Sequence, residues 1–171
     1  TTGAALWMGR CRAVRVTACD VADDTNLRTS LIQLMSPSKR LNGVTHLASA
    51  FSSGQLGAWQ SNALQAMYGP KVHAAQTLHA ALRGTKLDDF GLCGSAASVL
   101  DFYSKHQAPY AAANSAIASL ATFRRGEGLK STSIAWGALA TTAGDQKDTS
   151  FGSLSRLNGL ELIDHALVCT V

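Results

Sequence analysis

No apolar run in this chain approaches the roughly 20 residues a helix needs to cross a bilayer, so a membrane-spanning role is not expected. The opening stretch, TTGAALWMGRCRAVRV, does not set a charged start before an apolar core, which argues against a secretory signal. Basic residues never accumulate. "FRR" at 123–125 and "SKR" at 38–40 are local groups with little aromatic interleaving, so nucleic acid is not an expected partner. A net charge of +4 is nevertheless enough to attract an anionic cofactor or carrier protein. The cysteines, at 11, 19, 93 and 169, form no C-x-x-C pair, and the five histidines (His46, His73, His79, His106 and His165) have no zinc spacing. No metal site and no disulfide framework is expected. The thiols read as free or buried in a soluble protein of a reducing compartment, the cytoplasm or an organellar stroma or matrix. The histidines read as surface or core polar groups.

What is present is a regular alternation. The 171 residues, 46% hydrophobic and 15% charged, suit one domain with a sizeable core, 1–171. Four short segments rich in small and β-branched residues, AVRVTACDV (13–21), GVTHLASA (43–50), FGLCGSAA (90–97) and STSIAWGAL (131–139), read as strands buried on both faces of a parallel sheet. Helical patterns lie between them. Residues 23–35 begin with Asp23 and Asp24 near an N-cap and place Leu27, Leu31 and Leu34 on one stripe. Residues 57–83 carry apolar positions at three- and four-residue intervals, with a break expected at "YGPK"; residues 108–125 start at Pro109 and end at the glycine stop "RRGEG". This order argues for an α/β, doubly wound layer structure. Residues 138–156 are polar, small and aperiodic, and are expected to form a mobile lid after a strand's carboxyl end, where α/β folds bind ligands.

A few residues could carry chemistry. Tyr110 and Asn114, at i and i+4, share a helix face. A phenol facing a cleft can protonate a developing alkoxide when a cation stands near it; equally, it can be a half-buried tyrosine on an alanine-rich packing face. Ser95, at the end of an apolar strand, could hydrogen-bond a substrate carbonyl or simply form a turn. Lys71, in GPKVHAAQTLH, taken alone reads as solvated surface.

Together, VRVTACDVAD, GVTHLAS, GPKVHAAQTLH, LDDFGLCGSAAS, YAAANSAIASLATFRRGEGLKSTSIAWG and LNGLELI occur in an order that resembles the ketoreductase domains of modular polyketide synthases, over roughly residues 12 to 165. Those domains belong to the short-chain dehydrogenase superfamily. The resemblance implies a Rossmann-like parallel sheet. It implies that Tyr110 donates the proton, Ser95 binds the carbonyl oxygen, Lys71 favours the tyrosinate and Asn114 orders the polar network behind it. In this branch the lysine comes from the earlier helix and an asparagine stands four after the tyrosine. The resemblance further implies NADPH as hydride donor, with contacts from Asp20, Val21, Ala48, Ser49, Gly137, Ala138 and Leu139, and a β-ketoacyl chain on an acyl carrier protein as substrate.

Several positions depart from the family's pattern. Too few residues precede ACDV for the first strand and its glycine-rich pyrophosphate turn, and the chain stops before the family's last helix and strand. The expected sheet is therefore partial, lacking the first two strands and the last: another polypeptide or a larger assembly supplies the missing strands, or the sheet is rearranged, or the chain is a fragment of a longer one. Ser49 replaces the glycine of "HAAG", Gly94 the first serine of an "SS" pair, and "FSS" (51–53) the "LDD" marker. The loop between Ser95 and Tyr110 is longer than usual. Two functions follow: an NADPH-dependent β-ketoacyl reductase, or an inactive ketoreductase-like structural or interaction subunit of a larger assembly.

Overall fold

The computed structural model describes residues 17–35, 40–52, 54–100 and 106–137. The expected lid at 138–156, and the first four residues of the strand expected at 13–21, lie outside them. Within them the order is α1 (Asp24–Leu34), β1 (Gly43–His46), α2 (Ser61–Tyr68), α3 (Ala74–Leu82), β2 (Asp89–Ser95), α4 (Ala108–Gly126) and β3 (Thr132–Trp136). Short 3-10 turns at Leu56–Ala58 and Ala96–Ser98 and a π turn at Gly69–His73 complete the path.

The strands form one parallel sheet in the order β1-β2-β3, with Gly43 opposite Asp89 and Gly91 opposite Thr132. Residues 17–20 are irregular and Val21 lies in a turn, so the described part of the 13–21 segment is not a strand. Asp20 explains the turn: its carboxylate accepts from the Ala22 N–H at 2.9 Å and its carbonyl from the Asp23 N–H at 3.2 Å, an Asx arrangement that bends the chain. Strand β1 stops at His46, earlier than the expected 50, and Ala96 and Ala97 fold into a 3-10 turn.

Among the described residues the strands are buried on one face only, not on both. Phe90 and Leu92 of β2 are sealed against Ala74, Ala75, Leu78 and Leu82 of α3, Ile117 and Ala121 of α4, and Leu27 of α1. On the opposite face Ile134 is 41% exposed. The described helices thus form a single layer around one core. Helix α1 is capped as expected by Asp23, whose carboxylate accepts from the Asn26 N–H at 2.9 Å. Its expected stripe holds for Leu27 and Leu31 and fails at Leu34, which is half exposed.

Helix α4 ends in a Schellman motif. The Leu129 N–H bonds to the Arg124 carbonyl and the Gly128 N–H to that of Arg125, with Gly128 at φ 73°, a conformation that favours glycine. Among the described residues Arg124 is the largest fully buried side chain. Its guanidinium lies 3.7 Å from the centre of the Phe90 ring, meets Nδ1 of His79 at 2.8 Å and donates to the Lys130 carbonyl. One side chain thereby ties α3, α4, β2 and the approach to β3 together.

Candidate active site

The site begins with a helix irregularity. The chain does not break at "YGPK"; α2 passes into α3 through the π turn at Gly69–His73. Pro70 has no N–H to give to the carbonyl four residues back, so the ladder widens there. Gly69 makes room for the close approach of Ala22, whose Cβ would stand 3.1 Å from any Cβ added at 69. The widened turn carries Lys71 inward.

Lys71 is 3% exposed, against the solvated surface position that a lone helical lysine suggests. Its Nζ donates to Ser49 Oγ at 3.2 Å and to the Cys93 carbonyl at 3.3 Å, and lies 5.7 Å from the centre of the Tyr110 ring. No carboxylate among the described residues pairs with it. Burial pushes the ammonium below its ordinary pKa, and the nearby Cys93 thiol partly opposes that. The carbonyl of Lys71 faces Nε2 of buried His46 at 2.9 Å. A carbonyl can only accept, so this contact fixes the Nε2–H tautomer.

Asn114 is 1% exposed, and its Nδ2 donates to the Tyr110 carbonyl at 2.8 Å. Its Oδ1 is buried without a partner. Gly94 passes close by: a Cβ there would lie 3.8 Å from that oxygen and 3.3 Å from the Ile134 carbonyl. Tyr110 is half-buried, with the Phe51 ring edge-on at 5.2 Å. The Gly54 N–H to His106 carbonyl bond, 2.8 Å, ties the loop after β1 to the segment leading into α4. Ser95 ends β2, one residue beyond Gly94. Its Oγ accepts from the Ala97 N–H at 3.2 Å, which leaves its own O–H available to a ligand.

Lys71, Tyr110 and Asn114 therefore meet, and β2 brings Ser95 to the same end of the sheet. Of the expected cofactor contacts, Ser49 touches Lys71, while Asp20 and Val21 form the turn that leads to Ala22 beside Gly69. Ala48 is half-buried after β1 and Gly137 half-buried after β3; Ala138 and Leu139 lie outside the described residues. No group of three or more metal-ligating side chains occurs among the described residues. Sequence reasoning left His46 among the generic polar groups. The signal was its parity with Val44, which puts both on the inner face of β1.

A parallel sheet with a buried lysine, a tyrosine and an asparagine gathered at the carboxyl ends of its strands defines the short-chain dehydrogenase class of α/β proteins. Comparison places the chain further. A family model described as "KR domain" matches residues 5–141. The chain is 37% identical over 163 residues to polyketide synthase GfsB of Streptomyces halstedii, covering 89% of this chain and 3% of that protein. It is 36% identical over 169 residues to the spectinabilin polyketide synthase system protein NorB of Streptomyces orinoci, covering 91% and 8%. Among solved structures, A-type ketoreductases from a modular polyketide synthase superpose with a TM-score of 0.70 at 33% identity, over 80% of this chain and 29% of theirs. A C2-type ketoreductase from a modular polyketide synthase gives 0.75 at 27%, over 90% and 32%. The chain belongs to the ketoreductase (KR) domain family of polyketide synthases. It spans only a small part of these synthases' length.

Proposed function

We propose that the chain serves the NADPH-dependent reduction of a β-ketoacyl thioester, carried on an acyl carrier protein, to the β-hydroxyacyl thioester. The observation that carries this reading is the placement of the Lys71 ammonium beside the Tyr110 ring, with no carboxylate among the described residues to neutralise it. Bound NADPH would supply the hydride. This chain's residues have the other tasks. The Ser95 hydroxyl, free to donate, holds the ketone oxygen. The Tyr110 phenol gives that oxygen its proton as charge develops on it. Lys71 stabilises the phenolate left behind, and Asn114 anchors the helix turn through the Tyr110 carbonyl.

The donor set fits the sugar end of such a cofactor. Two of the three N–H groups of Lys71 have partners, and the third remains for a ribose hydroxyl. Asp20 offers an exposed carboxylate in the turn that leads to Ala22 beside Gly69. The described residues include no glycine-rich turn for the pyrophosphate, so that contact falls to a complementing segment or a larger assembly. No helix of the described residues is long and apolar enough to cross a membrane.

A second reading, an inactive ketoreductase-like subunit, is favoured by one contact. Ser49 already engages the lysine that the cofactor would use. NADPH fluorescence titration, with and without an added N-terminal segment, separates the two. The first reading expects binding, and reduction of a β-ketoacyl thioester that Tyr110→Phe lowers by about 10²-fold or more. No fluorescence change even with the added segment would sink it.

A further inference from the structure

Among the described residues the buried lysine has no counter-ion, so other groups there must hold it. Strand β1 and the loop just after it deliver two polar groups to opposite ends of the same residue. His46 donates from Nε2 to the Lys71 carbonyl at 2.9 Å, and Ser49, three residues on, accepts from Lys71 Nζ at 3.2 Å. Between those contacts lies the whole lysine side chain, and among the described residues the Cys93 carbonyl is its ammonium's one further hydrogen-bond acceptor. We propose that His46 and Ser49 form a two-point clamp that positions Lys71, the imidazole fixing the π turn and the hydroxyl fixing the ammonium.

The chemistry suits a clamp. A neutral imidazole grips a carbonyl without adding charge beside the ammonium, and a hydroxyl accepts from it without neutralising it. A carboxylate in place of Ser49 would pair with Lys71 and remove the cation's influence on Tyr110. A glycine there, as in the related "HAAG" pattern, offers no side-chain acceptor. The groups facing Lys71 are His46 of β1, Ser49 beyond it, Cys93 of β2 and Tyr110 of α4. His46 and Ser49 are positioning residues, because each acts through Lys71.

The clamp rests on Lys71 being the functional cation, but its test needs no turnover. In the chain labelled with 13C and 15N lysine, NMR follows the titration of the Lys71 ammonium directly. Ser49→Ala should drop its midpoint by about one pH unit, since an acceptor of the charged form is gone; Ser49→Thr, which restores a hydroxyl, should return it. A Ser49→Ala midpoint within about 0.2 of the parent, or failure of threonine to restore it, overturns the ammonium half. The imidazole half is read in the parent chain. His46 15N shifts should show the Nε2–H tautomer, and an Nδ1–H tautomer or a charged ring at neutral pH overturns it. His46→Leu, where it folds, should release Lys71 towards solvent and raise the midpoint, opposite in sign to Ser49→Ala. An unchanged midpoint in folded His46→Leu also overturns that half. If the chain fails to bind NADPH while these shifts occur, the reductase reading fails and the clamp stands.

Discussion

Replacing Arg124 with methionine isolates what a buried guanidinium does for this fold. Methionine keeps most of the aliphatic packing and removes the charge. Two contributions disappear. The contact with His79 Nδ1 at 2.8 Å is a charge-assisted hydrogen bond, for which about 1.5–2 kcal/mol is reasonable. The stack on Phe90 at 3.7 Å is a desolvated cation–π contact of about 1–2 kcal/mol. The bonds to the Lys130 carbonyl, both at 3.4 Å, add little. Against this, removing a charge that is 1% exposed relieves a desolvation penalty. The expected net loss is about 2–3 kcal/mol, seen in urea melts as a lower midpoint with unchanged slope, and in heating as a fall of about 5–10 °C. Arg124→Lys should recover less than half, because an ammonium can neither stack flat nor reach both partners. A double-mutant cycle with His79→Gln should give a coupling of about 1 kcal/mol. A loss under about 0.5 kcal/mol for Arg124→Met would refute the reasoning, since the desolvation penalty would then cancel both contacts.

Acidification should destabilise the fold. Burial, the largest influence, holds His46 below its ordinary pKa; a hydrogen bond to the Lys71 carbonyl opposes this and the Lys71 charge adds to it. His79 is lowered by burial first and then by the Arg124 charge. A histidine depressed on folding binds fewer protons than the unfolded chain, so its stabilisation is complete above about pH 6.5 and is lost as pH falls below it. The loss is at most about 1.4 kcal/mol per pH unit for His46, and less for partly exposed His79. Urea melts at pH 7.5 and 5.5 should show the difference, and equal stability would contradict it. At Gly94, serine should be better tolerated than alanine by about 1 kcal/mol, because its hydroxyl can serve the unpartnered Asn114 Oδ1 while both side chains crowd the Ile134 carbonyl alike. Alanine matching or exceeding serine in a denaturant melt would count against that geometry.

Much of the fold was legible because period and punctuation agreed. Pro109 and the glycines at 126 and 128 bracket α4, and Asp23 caps α1; the strands, expected to be buried on both faces, instead bury Phe90 and Leu92 on one. The candidate-site residues Lys71, Ser95, Tyr110 and Asn114 were legible through their resemblance to a family. The position of Lys71 was not readable from its neighbours, since its burial depends on a π turn that proline imposes and on acceptors distant in sequence. His46 was overlooked for a related reason: its partner is a backbone carbonyl, which leaves no trace in side-chain patterns. Residues 17–21 looked like a strand by composition, but Asp20 folds them into a turn.

The sheet's pairing also governs how the chain reaches this structure. Both ladders are parallel, joining Gly43 to Asp89 and Gly91 to Thr132, so neither can nucleate as a hairpin. Each must close a loop of roughly forty residues before its hydrogen bonds begin to repay the lost entropy, which places the domain among slower folders. Because sheet order follows chain order, β1 and β2 can dock on a ribosome before β3 has been made. During that interval one edge of β2 stands open, and with it the strand end that carries Ser95.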